Sequence, residues 1–310
     1  MKENKFDISV VVPVYNSEEC LNELHSRIQN ALADFRFQII FVNDGSSDRS
    51  WNILSEFSVN HENVISIDLS KNFGQNNAIL AGLKYCRGEY TVIMDDDLQH
   101  DPKDIPLLIT ECKKGFDVCF ASFENLNQKG WKNSGSRFNG KIAEWFIGKP
   151  KNIYLSPFKA IHISVIDRIK HYKGSFPYID VMILQTTNSF TQVELKHHPR
   201  FKGKGNYTFR KSLIVFFNHL FSYSVFPLKL ITWTGVISVL FSFVAGIFYL
   251  WEYFYGTHRV EGWVTLALLI LFFGGMILFS VGIVGSYISR MYQDKNYDNP
   301  YSIREIRNRK

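Results

Sequence analysis

Short unbroken apolar runs alternate with longer amphipathic stretches through the N-terminal part of the chain. Residues 8–12, 38–42, 64–68, 90–94 and 117–121 are the short runs, and they predict buried strands. Residues 18–33, a stretch ending near residue 60, residues 76–86 and residues 102–114 predict the helices between them. Ser17 is placed to cap the first helix, and Pro102 suits the first turn of the last. Strands alternating with helices of this length predict a mostly parallel, doubly wound α/β sheet. Residues 161–169 and 179–184 add further structured segments. Between them and the sheet, residues 124–151 turn polar and predict a loop and a short helix over the pocket described below.

The pattern then changes. Residues 230–250 and 263–288 carry no charge, and each exceeds the roughly 20 apolar residues that span a bilayer. Trp233, Trp251, Tyr253, Tyr255 and Trp263 fall near their ends, as interfacial aromatics do. Residues 251–262 are too few to fold alone, so the two segments form a hairpin. Residues 210–226 mix Arg210, Lys211, Asn218 and His219 with aromatic and aliphatic side chains, which predicts a helix lying in the membrane interface. Four parts follow: an α/β domain over 1–209, an interfacial helix over 210–228, two membrane-spanning helices within 229–290, and a basic tail over 291–310.

Composition and charge sharpen this picture. The chain has 310 residues, a formal net charge of +6 and a pI of about 9.0. A basic balance suits an anionic membrane or a phosphorylated substrate. No nucleic-acid module accompanies the basic residues, so nucleic acid is not expected as a partner. Lys196, Arg200, Lys202, Lys204, Arg210, Lys211 and Lys229 precede the hairpin, and Arg290, Lys295, Arg304, Arg307, Arg309 and Lys310 follow it. The connection holds only His258 and Arg259. The positive-inside rule therefore places the α/β domain and the tail in the cytoplasm. Ser242 with Gly246 and Gly282 with Ser286 are small pairs four apart, a spacing that allows close helix packing and a homo-oligomer. Cys20, Cys86, Cys112 and Cys119 form no CxxC pair and read as reduced, mostly buried thiols. Lys2, Glu3, Lys5 and Asp7 interrupt any N-terminal apolar run, so no signal peptide is expected.

Candidate chemistry gathers where predicted strands end. Tyr15 and Asn16, then Asp44, then Asp68 with Lys71 and Asn72, then Asp95 to Gln99 follow four successive strands. Each cluster alone is ordinary turn chemistry. Together at one edge they predict a nucleotide pocket. The sequence contains no GxGxxG and no Walker A loop, which argues against a dinucleotide dehydrogenase or a P-loop enzyme. Asp95-Asp96-Asp97 is the densest cluster. Three adjacent carboxylates repel one another unless a cation joins them. Asp95 and Asp97 lie two apart and point the same way on extended backbone, and Gln99 continues that side. Such oxygen donors suit Mg²⁺ or Mn²⁺. A solvated acidic turn capping the next helix is the other reading. Asp180 interrupts an apolar stretch, as a helix cap or a working carboxylate. Residues 197–205 form a basic loop in which Arg200, Lys202 and Lys204 suit phosphate, or simply face solvent.

Val11-Val12-Pro13-Val14-Tyr15-Asn16, Val42-Asn43-Asp44-Gly45-Ser46, Lys71-Asn72-Phe73-Gly74 and Asp95-Asp96-Asp97-Leu98-Gln99 resemble, in order, the motifs of family 2 glycosyltransferases. With the hairpin, the chain is most similar to the polyprenyl-phosphate glycosyltransferases, among them dolichyl-phosphate mannose synthase and bacterial undecaprenyl-phosphate glucosyltransferases. The resemblance covers nearly the whole chain. It implies a Rossmann-like GT-A domain on the cytoplasmic face of the inner membrane. There a sugar would pass with inversion from a nucleotide diphosphate sugar, a UDP-sugar being favoured, to polyprenyl phosphate, for a cell-envelope glycan. Pro13, Tyr15 and Asp44 would contact base and ribose, with Asn16, Asn72, Asp95 and Asp96 completing the donor pocket. Asp95, Asp97 and Gln99 would hold the metal and diphosphate. Lys159, Arg200, Lys202 and Lys204 would hold the acceptor phosphate.

The departures are specific. Ser122-Phe123 stands where the family often has arginine, and Gln75 where it often has lysine. Ser156-Pro157-Phe158-Lys159 replaces Gly-Asp-Phe-Arg, which removes the family's catalytic aspartate and leaves Asp97 and Asp180 as the carboxylates for chemistry. No Gln-x-x-Arg-Trp motif is present, which disfavours a processive synthase. Two other readings stay open. One transfers the sugar to a hydroxyl of a lipid-linked glycan, which needs a base. The other is a catalytically silent scaffold that binds nucleotide.

Overall fold

The computed structural model describes residues 6–123, 153–174, 177–195, 226–255, 262–296 and 300–308. The expected loop over 124–151, the basic loop with Arg200, Lys202 and Lys204, and the expected interfacial helix up to residue 225 lie outside them. The chain divides into two compact units, Met1–Asn206 with Tyr297–Lys310, and Tyr207–Asn296.

The first unit is built on eight strands: β1 (Phe6–Val14), β2 (Phe37–Asn43), β3 (Val64–Leu69), β4 (Gly88–Ile93), β5 (Val118–Phe123), β6 (Lys159–His162), β7 (Phe190–Leu195) and β8 (Ile303–Asn308). Their order in the sheet is β7-β5-β6-β4-β1-β2-β3-β8. The central strands β4, β1, β2 and β3 are parallel, as expected. β6 and β8 run antiparallel to their neighbours, so the sheet is mixed. Helices α1 (Leu21–Ala31), α2 (Ser50–Asn60), α3 (Gln75–Leu83), α4 (Ile105–Cys112), α5 (Ile163–Ile169) and α6 (Ile179–Thr186) make the crossovers and cover the faces. Ile8, Val10, Val12 and Val14 of β1 face one core with α1 and α4. Val11 faces the other, with α3. Burial on both faces explains why β1 reads as a continuous apolar run rather than an alternating one.

Two boundaries differ from expectation. α1 begins at Leu21, and its N-cap is Cys20. Ser17 caps nothing there, because its hydroxyl is used elsewhere. The presumed tail is also divided. Residues 291–296 continue a long apolar helix, whereas Ile303–Asn308 return to the first unit as β8, paired antiparallel with β3. Its residues alternate between half-buried and exposed, with Ile303 on the half-buried face and Ile306 on the exposed one, which suits an edge strand with one face in solvent.

The second unit holds α7 (Phe226–Tyr255) and α8 (Trp263–Asn296). Both are long and apolar enough to cross a membrane, with mean hydropathy of 2.0 over Ile231–Phe248 and 1.7 over Phe272–Ser289. Their large apolar side chains are uncovered: Phe241 is 66% exposed and Leu278 is 75% exposed. An exposed apolar surface of this extent marks a place where a protein or lipid partner can pack.

Candidate functional site

Parallel pairing brings the ends of β1, β2, β3 and β4 to one edge, with Val14 beside Asn43 and Asn43 beside Asp68. The loops leaving those strands are tied to one another. Asn16 adopts a left-handed φ of 52°. Its amide donates to Ser46 Oγ at 2.9 Å, and its Oδ1 accepts from the Ser47 amide at 2.8 Å. The Ser17 amide donates to Ser50 Oγ at 3.0 Å. Asp44 is buried, and both of its oxygens accept from the next loop, from the Phe73 amide at 2.7 Å and the Gly74 amide at 2.9 Å. Burial pushes its carboxyl up, against those two amides. Gly45 has φ of 68°, and a Cβ there would come within 2.6 Å of the Asn72 nitrogen. Only glycine allows the two loops to close so tightly.

The acidic loop joins the same network. Asp95 Oδ1 accepts from Gln75 Nε2 at 2.6 Å, across from the start of α3. Asp96 Oδ2 accepts from the Ser17 hydroxyl at 2.5 Å and the Tyr15 amide at 3.2 Å. Burial pushes the Asp96 carboxyl up to about 6, the Asp97 charge adding to it and the bonds from Ser17 and Tyr15 opposing it. Asp97 Oδ1 accepts from the Gln99 amide at 3.1 Å, and Leu98 between them takes a left-handed φ of 58°. Behind the loop, His100 lies stacked between Phe123 and Phe158. Tyr15, the residue after β1, is 49% exposed.

The structure places Tyr15, Asn16, Asp44, Asn72, Asp95, Asp96, Asp97 and Gln99 in the loops that leave β1 to β4 at one edge of the sheet. Pro13 is different, being buried within β1 beside Val42. Asp44 acts on the neighbouring loop with both oxygens. Lys159 and Asp180, expected to serve separate tasks, form one ion pair. Lys159 is 3% exposed, beside Ile93 at the end of β4, and its ammonium also lies 5.5 Å from the Phe120 ring centre. Asp180 sits in the first turn of α6, whose Ile179 amide donates to Asn76 Oδ1 at 3.3 Å, next to Gln75. Gln75, Ser17 and Ser46 join the site only through the fold, which brings them against Asp95, Asp96 and Asn16. Their signal was their place in the polar clusters after strands, which turn chemistry explains equally well.

Among the described residues, no group of three or more His, Cys, Asp and Glu side chains converges as a metal cage. Asp95 accepts through Oδ1 from Gln75 and Asp97 through Oδ1 from the Gln99 amide. Such a pair fits Mg²⁺ or Mn²⁺ shared with substrate phosphates, the usual habit of these ions, rather than an all-protein site.

The sequence model of glycosyl transferase family 2 matches residues 9–174. The chain is similar to the uncharacterized glycosyltransferase YkcC of Bacillus subtilis strain 168, with 30% identity over 95% of this chain and 92% of that one. It is also similar to the uncharacterized glycosyltransferase sll0501 of Synechocystis sp., with 29% identity over 93% and 92%. Among solved structures it is similar to glucosyl-3-phosphoglycerate synthase from Mycobacterium tuberculosis, in complex with Mn²⁺, UDP-glucose and phosphoglyceric acid. There the TM-score is 0.49 and the identity 16%, over 65% of this chain and 73% of that one.

Proposed function

The chain belongs to glycosyl transferase family 2 and uses a nucleotide-sugar donor, and from that premise we propose that it passes the sugar to the phosphate of a polyprenyl phosphate, with inversion, at the cytoplasmic face of the inner membrane. One observation carries the reading. The chain leaves the unit that holds the donor edge, runs through two helices apolar and long enough to cross a bilayer, and returns to the same sheet as β8. Both ends of the apolar pair thus belong to one folded unit. Two crossings satisfy that constraint, and they tether the site to lipid.

The chemistry is consistent with a phosphate acceptor. A phosphate monoester has a second pKa near 6 and is largely ionised at neutral pH, so it needs no base. A hydroxyl acceptor does need one, and the candidate, Asp180, is taken by the buried Lys159. Tyr15 and the loops around Asn16, Asp44 and Asn72 would orient the nucleotide. Asp95 and Asp97, with Gln99 beside them, would hold Mg²⁺ or Mn²⁺ against the donor diphosphate, where it supplies positive charge to the leaving group. Arg200, Lys202 and Lys204 would gather the acceptor phosphate, and holding both reactants at one height converts a membrane encounter into a positioned reaction.

The test uses the purified full chain in detergent with undecaprenyl phosphate, a panel of UDP- and GDP-sugars, and Mg²⁺ or Mn²⁺. Mass spectrometry should find a lipid-phosphate-sugar product, lost with chelator and lowered by about 10²-fold or more in Asp97→Asn. Donor turnover without that product would move the acceptor to a hydroxyl. Nucleotide binding without any turnover would favour the scaffold reading.

A further inference from the structure

The donor edge has a second support that enters from the far end of the sequence. Asp68, at the end of β3, is a buried carboxylate. Its Oδ1 accepts from Asn43 Nδ2 at 2.7 Å, and its Oδ2 accepts from the Arg304 guanidinium at 3.2 Å. Arg304 lies on β8, and its second nitrogen donates to the Ser70 carbonyl at 2.7 Å. The Ser70 amide in turn donates to the Ser302 carbonyl at 2.9 Å. β8 therefore grips residues 68–70 by backbone and side chain, where its register with β3 shifts. Those residues lead directly into the loop held by Asp44. On the other side, Asn43 Oδ1 accepts from the Ser46 amide at 3.3 Å, and Ser46 holds Asn16. A continuous set of bonds runs from Arg304 through Asp68 and Asn43 to the loops that face the donor.

We propose that Arg304 is a positioning residue for the donor pocket: the strand that follows the two apolar helices completes the nucleotide site by holding Asp68 and Ser70 in place. The inference rests on the nucleotide-sugar reading of that edge. Its physical basis is that a buried carboxylate needs a partner charge or a full set of donors. Without Arg304, Asp68 keeps the Asn43 amide alone among these contacts. It then gains by moving toward solvent, and it takes the loops on either side with it.

The experiment measures UDP and GDP binding with Mn²⁺ by calorimetry on the full chain in detergent, with thermal midpoints recorded in parallel. Arg304→Ala is expected to weaken nucleotide binding about tenfold, the scale of one charge-assisted bond. In turnover assays the donor KM should rise by a similar factor while kcat changes less than about threefold. Arg304→Lys keeps the charge and should recover most of the affinity. Asp68→Asn added to Arg304→Ala removes the stranded charge, keeps an acceptor for Asn43, and should recover part of it. Arg307→Ala is the control, since Arg307 lies on the same strand but pairs with Glu305 and packs on Trp51. It should bind as the wild type does. Wild-type affinity in Arg304→Ala overturns the inference alone. Equal weakening in Arg304→Ala and Arg307→Ala also overturns it, because the strand as a whole then matters rather than this side chain. If Arg304→Ala does not fold, Arg304→Gln, which keeps the length of the side chain and loses its charge, is compared with the wild type and Arg307→Ala, and no difference in affinity or KM overturns the inference. Absence of nucleotide binding by the wild type overturns the donor reading, and this inference with it.

Discussion

At the scale of single residues, the environment of Asp96 changes its chemistry at the candidate site itself. The sequence spacing puts Asp95 and Asp97 on one side of the chain and leaves Asp96 on the other. The structure separates them: Asp95 meets Gln75, Asp96 turns back to Ser17 and Tyr15, and Asp97 turns to the Gln99 amide. With its pKa near 6, Asp96 is mostly ionised at neutral pH and takes a proton below it. The protonated form accepts less strongly from Ser17 and Tyr15, so the first loop should loosen. Donor affinity is expected to fall severalfold as pH drops from 7 to 5, and Asp96→Asn should bind with a flat profile over that range. Calorimetric titration of UDP-sugar at fixed ionic strength reads this directly. The same shift works the other way on stability. A carboxyl raised from 3.8 contributes stability that is fully present below 3.8 and is lost as pH rises through about 6.

At the scale of elements, the packing of α1 against α2 carries its own pH dependence. His25 is buried on α1, stacked on Phe57 with ring centres 4.3 Å apart and near His61 at 4.6 Å. Burial pulls its pKa down to about 4, and His61 adds to the effect. The unfolded chain therefore binds a proton near pH 6.5 that the folded chain refuses until about 4. Stability is fully present above 6.5 and is lost as pH falls toward 4, by about 3 kcal/mol for this group. Thermal midpoints should drop over that window in the wild type and drop less in His25→Phe, which keeps the stack without the titrating ring. Equal drops would assign the acid sensitivity to other groups. The elements themselves were readable to different degrees. β1 to β5 are apolar runs that nothing but burial explains. β6, β7 and β8 were not, because four to six residues with mixed polarity look like loop until a neighbouring strand supplies their hydrogen bonds.

At the scale of the whole molecule, the prediction concerns which side each part faces. All four cysteines are buried thiols, as expected from their spacing. Burial pushes Cys86 and Cys112 up to about 12 and Cys119 further still, so native thiols react slowly with maleimide. Single reporters then read cleanly. Thr257→Cys, between the apolar helices, and Asn308→Cys, on β8, are expected to label from opposite faces of sealed inner-membrane vesicles. Labelling from one face would remove the two crossings and, with them, the lipid-phosphate acceptor.

What the sequence determined by itself was local or periodic. Unbroken apolar runs declared buried parallel strands, polar residues after four of them declared one polar edge, and two uncharged stretches declared helices fit for a bilayer. Each is a free-energy statement about water and backbone that holds wherever the segment lies. What only the tertiary structure decided was pairing across distance. Lys159 and Asp180, 21 positions apart, were separate candidates until α6 brought them into one ion pair. Ser17 was a helix cap until the acidic loop offered it a better acceptor. Residues 303–308 were a charged tail until β3 presented an open edge. Arg304 and Asp68 stand 236 positions apart. No local pattern marks such a pair, because the cost that makes them partners, a carboxylate out of water, arises only once the sheet has buried it.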